Sequence, residues 1–335
     1  MLQINNTIKK KKSKIKLSAI SFSNVLICLL IVLILIITLL DSKKYSSSIV
    51  NGITLFFTAV FPGLLPSMFL CTMLTKLDIS SLFKPLNKVG TKLFGISYNG
   101  LYALFISLVS GYPVGAKITR DLYKSGYIDQ NEATKTAMIS STSGASFTIG
   151  TVGSVMLKNA KFGIIIYISN MLAVLVYSFL YHILTNKKMT MQSHQISKSI
   201  QEKKSFLKLM SSCVIDTIKG LLIVGFYITL FSLVIELFNM LVLTRLPNLS
   251  RTFKCVMSGI IEMTSGINNL STNLSKLSIS LVAMLTGFSG ISIIMQSIEF
   301  LGETKIKTYK FFIAKLFHGL LSFTICFALL SIFKI

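Results

Sequence analysis

Apolar residues in this chain form long runs that are separated by short polar stretches. Nine of these runs carry few or no charges, and each is close to the roughly 20 residues that a helix needs to cross a bilayer. The runs occupy residues 17–40, 45–75, 93–116, 136–157, 162–186, 220–244, 255–275, 277–298 and 316–333. The pattern predicts an all-α polytopic membrane protein with about 7–9 membrane segments and no room for a soluble domain.

Composition and charge agree with this class. Hydrophobic residues make up 52% of the 335 residues and charged residues only 13%, and the mean hydropathy is +0.72. The net charge of +23 could indicate a nucleic-acid partner, but the basic residues lie in short loops between apolar runs, where they orient a membrane protein. The expected partner is the lipid bilayer, with no nucleic acid.

The lysines of residues 9–16 precede an apolar run that is too long for a signal peptide and lacks a small-residue cleavage site, so we expect an uncleaved first helix.

Ser-Gly steps interrupt four of the runs at matching places in two halves of the chain. The first pair is Ser110-Gly111-Tyr112-Pro113-Val114-Gly115 and Ser143-Gly144-Ala145-Ser146. The second pair is Ser258-Gly259, trailing to Ser265-Gly266, and Ser289-Gly290, and it follows the first pair by 148 and 146 residues. Exposed backbone at membrane depth is tolerated only where protein or a water-filled cavity covers it. Interrupted segments at corresponding places in two halves point to the binding site of a transporter.

The distribution of basic residues favours one re-entrant segment in each half. If the segment broken at Ser110-Gly111 leaves on the side from which it entered, 23 basic residues lie in cytoplasmic loops and nine outside. Each half then has three crossings, so the second half is inverted relative to the first. The segment broken at Ser143-Gly144 could be the re-entrant one instead, and the inversion would be kept.

These features divide the chain into four parts. Residues 1–44 are a basic N-terminus with the first membrane helix, and residues 45–185 form the first repeat. Residues 186–212 are a polar cytoplasmic linker, in which residues 186–205 lack helical period, and residues 213–335 form the second repeat.

The candidate site for a solute lies at the broken segments. Hydroxyl groups there can replace water around a polar ligand, the cationic side chains after Gly115 can attract an anion, and the start of a half-helix offers free N–H groups to it. A carboxylate at membrane depth usually faces a partner or a wet cavity. The candidate residues are Ser110, Gly111, Pro113, Gly115, Lys117, Arg120, Ser143, Gly144, Ser146, Glu262, Ser289 and Gly290. For Lys117 and Arg120, a role as plain cytoplasmic anchors is equally compatible with the sequence.

Other ionisable residues favour ordinary structural roles. Asp216 and Lys219 share a helical face and are interpreted as an interfacial pair, and Glu236 as an interfacial residue near the outer end of its helix. Lys315 and His318 lie one turn apart at the start of the last helix, where His318 is interpreted as a packing residue. The five cysteines have no metal-ligand spacing. We expect no cofactor, no metal and no enzymatic activity, because no catalytic constellation is present.

Specific strings in the chain resemble a known family. They are Phe61-Pro62-Gly63-Leu64-Leu65-Pro66, Ser110-Gly111-Tyr112-Pro113-Val114-Gly115-Ala116-Lys117, Ser143-Gly144-Ala145-Ser146 and Thr286-Gly287-Phe288-Ser289-Gly290. Together they resemble the YlbJ family of sporulation integral membrane proteins, which carries a nucleoside-recognition Gate domain, from about residue 51 to the C-terminus. The resemblance implies a role in endospore formation, a transport-like fold and a place in the mother-cell-derived outer forespore membrane. It also implies dipicolinate as a solute.

We therefore expect a transporter or channel that moves a small polar, anionic solute. The alternative is a non-transporting membrane scaffold that recruits partners for assembly of the spore envelope. Self-association into a homo-oligomer is left open.

Overall fold

A computed structural model describes residues 22–77, 79–185, 206–246, 248–302 and 304–333. The basic residues 1–21 and the linker residues 186–205 lie outside the described residues. The chain divides into two compact units, Met1–Ser46 and Ser47–Ile335. Within the first unit, α1 (Phe22–Leu40) is a helix of 19 apolar-rich residues.

The described part of the second unit is helical and contains no strand, so the all-α prediction is confirmed. The helices of its first half are α2 (Ser42–Leu55, which begins before the unit boundary), α3 (Phe61–Lys76), α4 (Asn87–Leu93), α5 (Tyr98–Ser110), α6 (Val114–Lys124), α7 (Gln130–Ile139) and α8 (Ala160–Thr185). Those of its second half are α9 (Phe206–Leu241), α10 (Arg251–Ile261), α11 (Met263–Leu270), α12 (Lys276–Phe288), α13 (Gly290–Leu301) and α14 (Thr308–Ile332). Two π-helical segments, Phe56–Val60 and Ser146–Met156, and two 3-10 segments, Ile79–Leu86 and Leu243–Arg245, complete the described chain.

Five described stretches are long and apolar enough to cross a membrane. They are Ser42–Lys76, Ala160–Thr185, Phe206–Arg245, Lys276–Leu301 and Thr308–Ile332. A sixth is added if Ile79–Leu93 and Tyr98–Ser110, which meet at an angle of 97°, are counted as one bent span. The predicted runs 93–116, 136–157 and 255–275 contain breaks and form pairs of shorter helices.

Two helix starts differ from the sequence prediction. Helix α9 begins at Phe206, so residues 206–212, assigned above to the linker, form its first turns. Helix α14 begins at Thr308, eight residues before the predicted apolar run, because Lys310 and Lys315 are accommodated within the helix. Lys315 therefore lies two turns inside α14 and not at its start.

The same order of elements occurs twice. A long helix (α3 or α9) precedes two broken segments, and a second long helix (α8 or α14) follows them. One apolar core joins both halves, with Phe56 and Leu64 beside Leu221, Val224 and residues of the second half's broken segments. Helix α14 packs closely on α12, where a Cβ atom at Gly287 would lie 2.6 Å from the Ser322 hydroxyl. This shared core places the four breaks at the centre of the second unit.

Candidate functional site

The two broken segments of the first half cross each other at their breaks. A Cβ atom on Gly111 would lie 2.6 Å from the backbone nitrogen of Gly144, and one on Gly144 would overlap the nitrogen of Gly111. The nitrogen of Tyr112 donates a hydrogen bond of 3.0 Å to the carbonyl oxygen of Thr142. The glycines are therefore required for close backbone contact, and each break supplies a partner to the other's unwound backbone.

Local chemistry explains why the first segment breaks here. Gly111 has φ +81°, a conformation that favours glycine, and Pro113 has no N–H to continue a helix. One turn further, Gly115 packs against the carbonyl oxygen of Ser140, where a Cβ atom would not fit. Small residues thus allow α6 to start directly against the second broken segment.

The second half repeats this crossing with different residues. Glu262 separates α10 from α11 in an extended conformation, and its carboxylate accepts hydrogen bonds from Thr264 N at 2.9 Å and Ser265 N at 2.7 Å. Ser289 and Gly290 have φ +82° and +74° between α12 and α13. A Cβ atom on Gly290 would lie 2.9 Å from Met263 N, so this break also lies against its neighbour.

The predicted break at Ser258-Gly259 is wrong by about one helical turn. Ser258 and Gly259 lie inside α10, and Gly259 instead allows close packing of α10 on Leu285 and Gly266. Helix α10 ends before Glu262 because the Glu262 carboxylate caps α11. It accepts hydrogen bonds from the first N–H groups of α11, which have no partner within that helix.

Side chains connect the crossings of the two halves. Asn170 of α8 donates hydrogen bonds of 2.8 Å to the hydroxyls of Ser143 and Thr286. The Tyr112 hydroxyl lies 3.0 Å from the Met263 sulfur and donates to the carbonyl oxygen of Thr286 at 3.2 Å. The four breaks therefore form one region, which we call the crossing: residues 110–115, 140–146, 262–263 and 289–290.

A buried cation lies beside the crossing. Lys315 is 1% exposed, its Nζ donates a hydrogen bond of 2.6 Å to the carbonyl oxygen of Ser141, and it lies 5.3 Å from the centre of the Tyr112 ring. The ion pairs of the described residues, Lys76–Asp216 and Arg120–Asp121, do not include it. A charged side chain inside a membrane is costly and usually faces a partner or a wet cavity.

A small cavity opens at the crossing. It is lined by Val60, Leu64, Ser110, Gly111, Tyr112, Pro113, Gly144, Phe147, Val224, Ile228, Met263, Thr264, Ile293 and Gln296. Gln296 is 1% exposed, and both polar atoms of its amide lack a hydrogen-bond partner among the described residues. Buried polar groups are normally bonded, so the amide is available to a bound molecule.

The structure brings most of the predicted site residues together. Ser110, Gly111, Pro113, Ser143, Gly144, Ser146, Glu262, Ser289 and Gly290 lie in the crossing, with Gly115 at its edge. Lys117 and Arg120 lie further along α6 and do not line the cavity. Arg120 binds Asp121 at 2.8 Å and lies 5.4 Å from the Phe300 ring. Asp216 pairs with Lys76 at 2.7 Å, and not with Lys219 as expected from the sequence.

Sequence reasoning missed several residues of this site. Tyr112 belongs to the most specific string but was not selected, and Lys315 was interpreted as lying near a helix end. Asn170, Thr286 and Gln296 carry no motif. A charge or amide within an apolar run was the only signal that could have identified Lys315, Asn170 and Gln296.

Glu236 lies in a separate polar groove. The groove is lined by Ser48, Asn51, Gly52, Thr54, Leu55, Thr58, Ser232, Ile235, Glu236, Asn239, Ser265, Asn268 and Asn269. The Ser48 hydroxyl donates to Ser232 O at 2.9 Å. This groove lies at the end of α9 opposite Asp216.

The apolar helices and the buried broken segments define an integral membrane protein of the all-α polytopic class. The chain is 28% identical over 304 residues to the "Sporulation integral membrane protein YlbJ" of Bacillus subtilis (strain 168). The match covers 80% of this chain and 73% of the Bacillus protein. This similarity supports the relationship to that family of sporulation membrane proteins. No protein-family model and no solved structure matches the chain, so the Gate domain stays a prediction.

Proposed function

We propose that the protein transports a small polar, anionic solute, which binds at the crossing beside Lys315. Lys315 does not line the cavity itself but lies 5.3 Å from the centre of the Tyr112 ring, which does. The observation that carries the proposal is Lys315, a buried ammonium group held by the Ser141 carbonyl without a carboxylate partner among the described residues. An ammonium group has three donors, and one hydrogen bond is recorded for Lys315. The remaining donors can bind the anion.

Glu262 does not neutralise this cation. Its two carboxylate oxygens each accept a backbone N–H of α11, so its charge is compensated by the start of that helix. The anion is therefore recognised by Lys315, while the Gln296 amide and nearby hydroxyls bind its polar atoms. Such a mixture of one charge and several neutral donors is typical of a small-molecule site.

Contacts at the helix ends support inverted repeats. The continuous stretch Ser42–Lys76, which contains α2 and α3, runs antiparallel to α9, since Ser48 meets Ser232 at one end and Lys76 meets Asp216 at the other. Helices α8 and α14 are also antiparallel, because Tyr181 contacts Lys310 while Tyr177 contacts His318. The corresponding long helices of the two halves thus have opposite directions, as in transporters that are built from inverted repeats.

The end of the molecule with Lys76, Lys117 and Lys135 fits the cytoplasmic side. Lys76 and Lys117 both lie near Asp216, and Gln130, at the start of α7, donates to Lys305 O. The loops 76–92, 117–135 and 305–310 therefore share one end, as the positive-inside rule demands. We infer from the family resemblance that the solute is dipicolinate and the membrane the outer forespore membrane.

Exchange of labelled solute in proteoliposomes tests the proposal. Vesicles loaded with unlabelled dipicolinate should take up labelled dipicolinate by counterflow with the wild-type protein. Lys315→Met should weaken solute binding by about 10- to 100-fold, since a hydrogen bond to a charged group contributes about 1.5–3 kcal/mol. Lys161→Met, at an exposed lysine at the start of α8, should behave as wild type.

Two results would contradict this function. Absence of counterflow for dipicolinate and for nucleosides, in protein that is folded, would favour the scaffold alternative. Unchanged exchange by Lys315→Met would remove the assigned anion site even if transport occurs.

A further inference from the structure

His318 is a buried imidazole that the anion site described above does not use. It is 0% exposed, and neither Nδ1 nor Nε2 has a hydrogen-bond partner among the described residues. Its ring packs edge-on against Tyr177 of α8, with centroids 5.0 Å apart. A buried histidine normally has at least one ring nitrogen bonded. We therefore expect a ring nitrogen of His318 to bond a ligand or a water molecule, or to take up a proton.

The position of His318 connects it to the anion site. It follows Lys315 by three residues in α14, so both side chains lie on one helical face. The next turn of that face carries Ser322, whose hydroxyl is also buried without a partner among the described residues. No hydrogen bond among the described residues therefore fixes the tautomer of the imidazole.

Among the residues that the structure describes, few other titratable groups face the imidazole. Tyr177 of α8 contacts the ring, and Lys315 precedes it on α14 itself. The charged groups on the other packed helices have different neighbours. Lys276 of α12 lies near Phe327 and Ser331. In α7, Glu132 accepts a hydrogen bond from Ser97 and Lys135 contacts His182, and in α13 Glu299 accepts one from Tyr227. The charge of Lys315 therefore dominates at His318.

A second cavity borders Tyr177, whose ring contacts His318. It is lined by Phe94, Ile96, Lys135, Met138, Ile139, Tyr177, Ser178 and Tyr181. Tyr177 stacks on Tyr181, and the Tyr181 hydroxyl lies 3.5 Å from Lys310 Nζ. Tyr177 is therefore the residue shared by this cavity and the ring contact of His318.

We propose that His318 is the proton-binding site that couples solute movement to a proton gradient; this rests on the proposed transport function. A proton enters from one aqueous side and binds a free ring nitrogen, which converts the imidazole to imidazolium. Two cations one turn apart on a helix repel each other. An anion that binds beside both of them offsets this repulsion. Protonation of His318 and anion binding at Lys315 therefore favour each other, and the proton leaves when the anion is released on the opposite side.

Uptake driven by a pH gradient tests the coupling. With wild-type protein, external acid should drive accumulation of labelled dipicolinate, up to about tenfold per pH unit for one proton per anion. His318→Gln should still exchange solute in counterflow, at a rate that no longer depends on pH, and should lose the gradient-driven accumulation. His194→Gln, in the linker, is the matched control and should accumulate solute like wild type.

The outcomes separate this inference from the transport function. Counterflow without an effect of the pH gradient in wild type, or undiminished accumulation by His318→Gln, overturns the coupling and leaves transport intact. Absence of counterflow overturns transport and the coupling with it.

A measurement on the histidine itself decides the matter if His318→Gln does not fold. The variant His182→Gln/His194→Gln retains a single imidazole, whose ring-nitrogen chemical shifts report protonation. Addition of dipicolinate at constant pH should shift the ring toward imidazolium. Shifts that do not respond to the anion contradict the proposal.

Discussion

The Nζ atom of Lys315 donates a hydrogen bond of 2.6 Å to the carbonyl oxygen of Ser141, although the residues are 174 positions apart in the chain. Ser141 follows α7, and the break there leaves its carbonyl available to a side chain. The second half of the protein thus places its buried cation on unwound backbone of the first half. The hydrogen bond therefore links α14 directly to the crossing.

Replacing Gly144 by alanine should destabilise the protein strongly. The new Cβ atom would overlap the backbone of Gly111 and of Ser110, and backbone cannot move aside as a side chain can. We expect a loss of about 1–3 kcal/mol or more in the free energy of unfolding, measured by denaturation in detergent. Gly150→Ala is the matched control, because a Cβ atom there meets nothing within 4 Å. Equal stability of both variants would contradict the backbone crossing.

The amide of Asn170 should contribute through its bond to Ser143. Asn170→Ala removes donors to two buried hydroxyls and should cost about 1–3 kcal/mol. A double-mutant cycle with Ser143→Ala should give a coupling energy of about 0.5–3 kcal/mol. A cycle with Thr244→Ala, whose exposed hydroxyl bonds within its own helical turn, should be additive to within about 0.5 kcal/mol. Additivity of the first cycle would mean that the two side chains do not interact.

The carboxylate of Glu262 should be replaceable by another acceptor but not by a methyl group. Glu262→Ala removes the cap of α11 and should lower the free energy of unfolding by about 0.5–2 kcal/mol. Glu262→Gln keeps one acceptor oxygen and should lose less. Thermal denaturation of the two variants compares them, and a more stable alanine variant would show that the cap is not needed.

Glu132 should make stability dependent on pH. Its carboxylate is buried, accepts a hydrogen bond of 2.5 Å from Ser97 N, and has its pKa raised, mainly because burial disfavours the charged form. The folded state therefore prefers the protonated acid, so stability should fall as pH rises from the unfolded-state pKa through the raised folded-state pKa.

Glu132→Gln has no such titration and provides the comparison. Melting temperatures of both proteins between acidic and neutral pH should show the wild type losing stability relative to the variant as pH increases. A difference that is constant, or that changes in the opposite direction, would contradict the burial argument.

Local chemistry determined the membrane class and most of the crossing. Runs of about 20 apolar residues predict spans because bilayer thickness fixes their length. Gly111, Pro113, Gly144 and Gly290 identified breaks because backbone conformation depends on the residue itself. The position of the break at Glu262 was not readable in this way, since Ser258-Gly259 serves helix packing instead.

The tertiary structure alone decided which residues complete the site. Lys315, Asn170 and Gln296 lie in helices without a motif, and their significance depends on neighbours that are distant in the chain. Lys315 became a candidate anion-binding residue only when its helix extended to Thr308 and packed against the break after α7. The sequence by itself determined three of the four places where the backbone is interrupted, because glycine and proline act on the local conformation. The structure decided the position of the fourth and which charged groups face the interruptions, because burial and pairing depend on all the packed helices together.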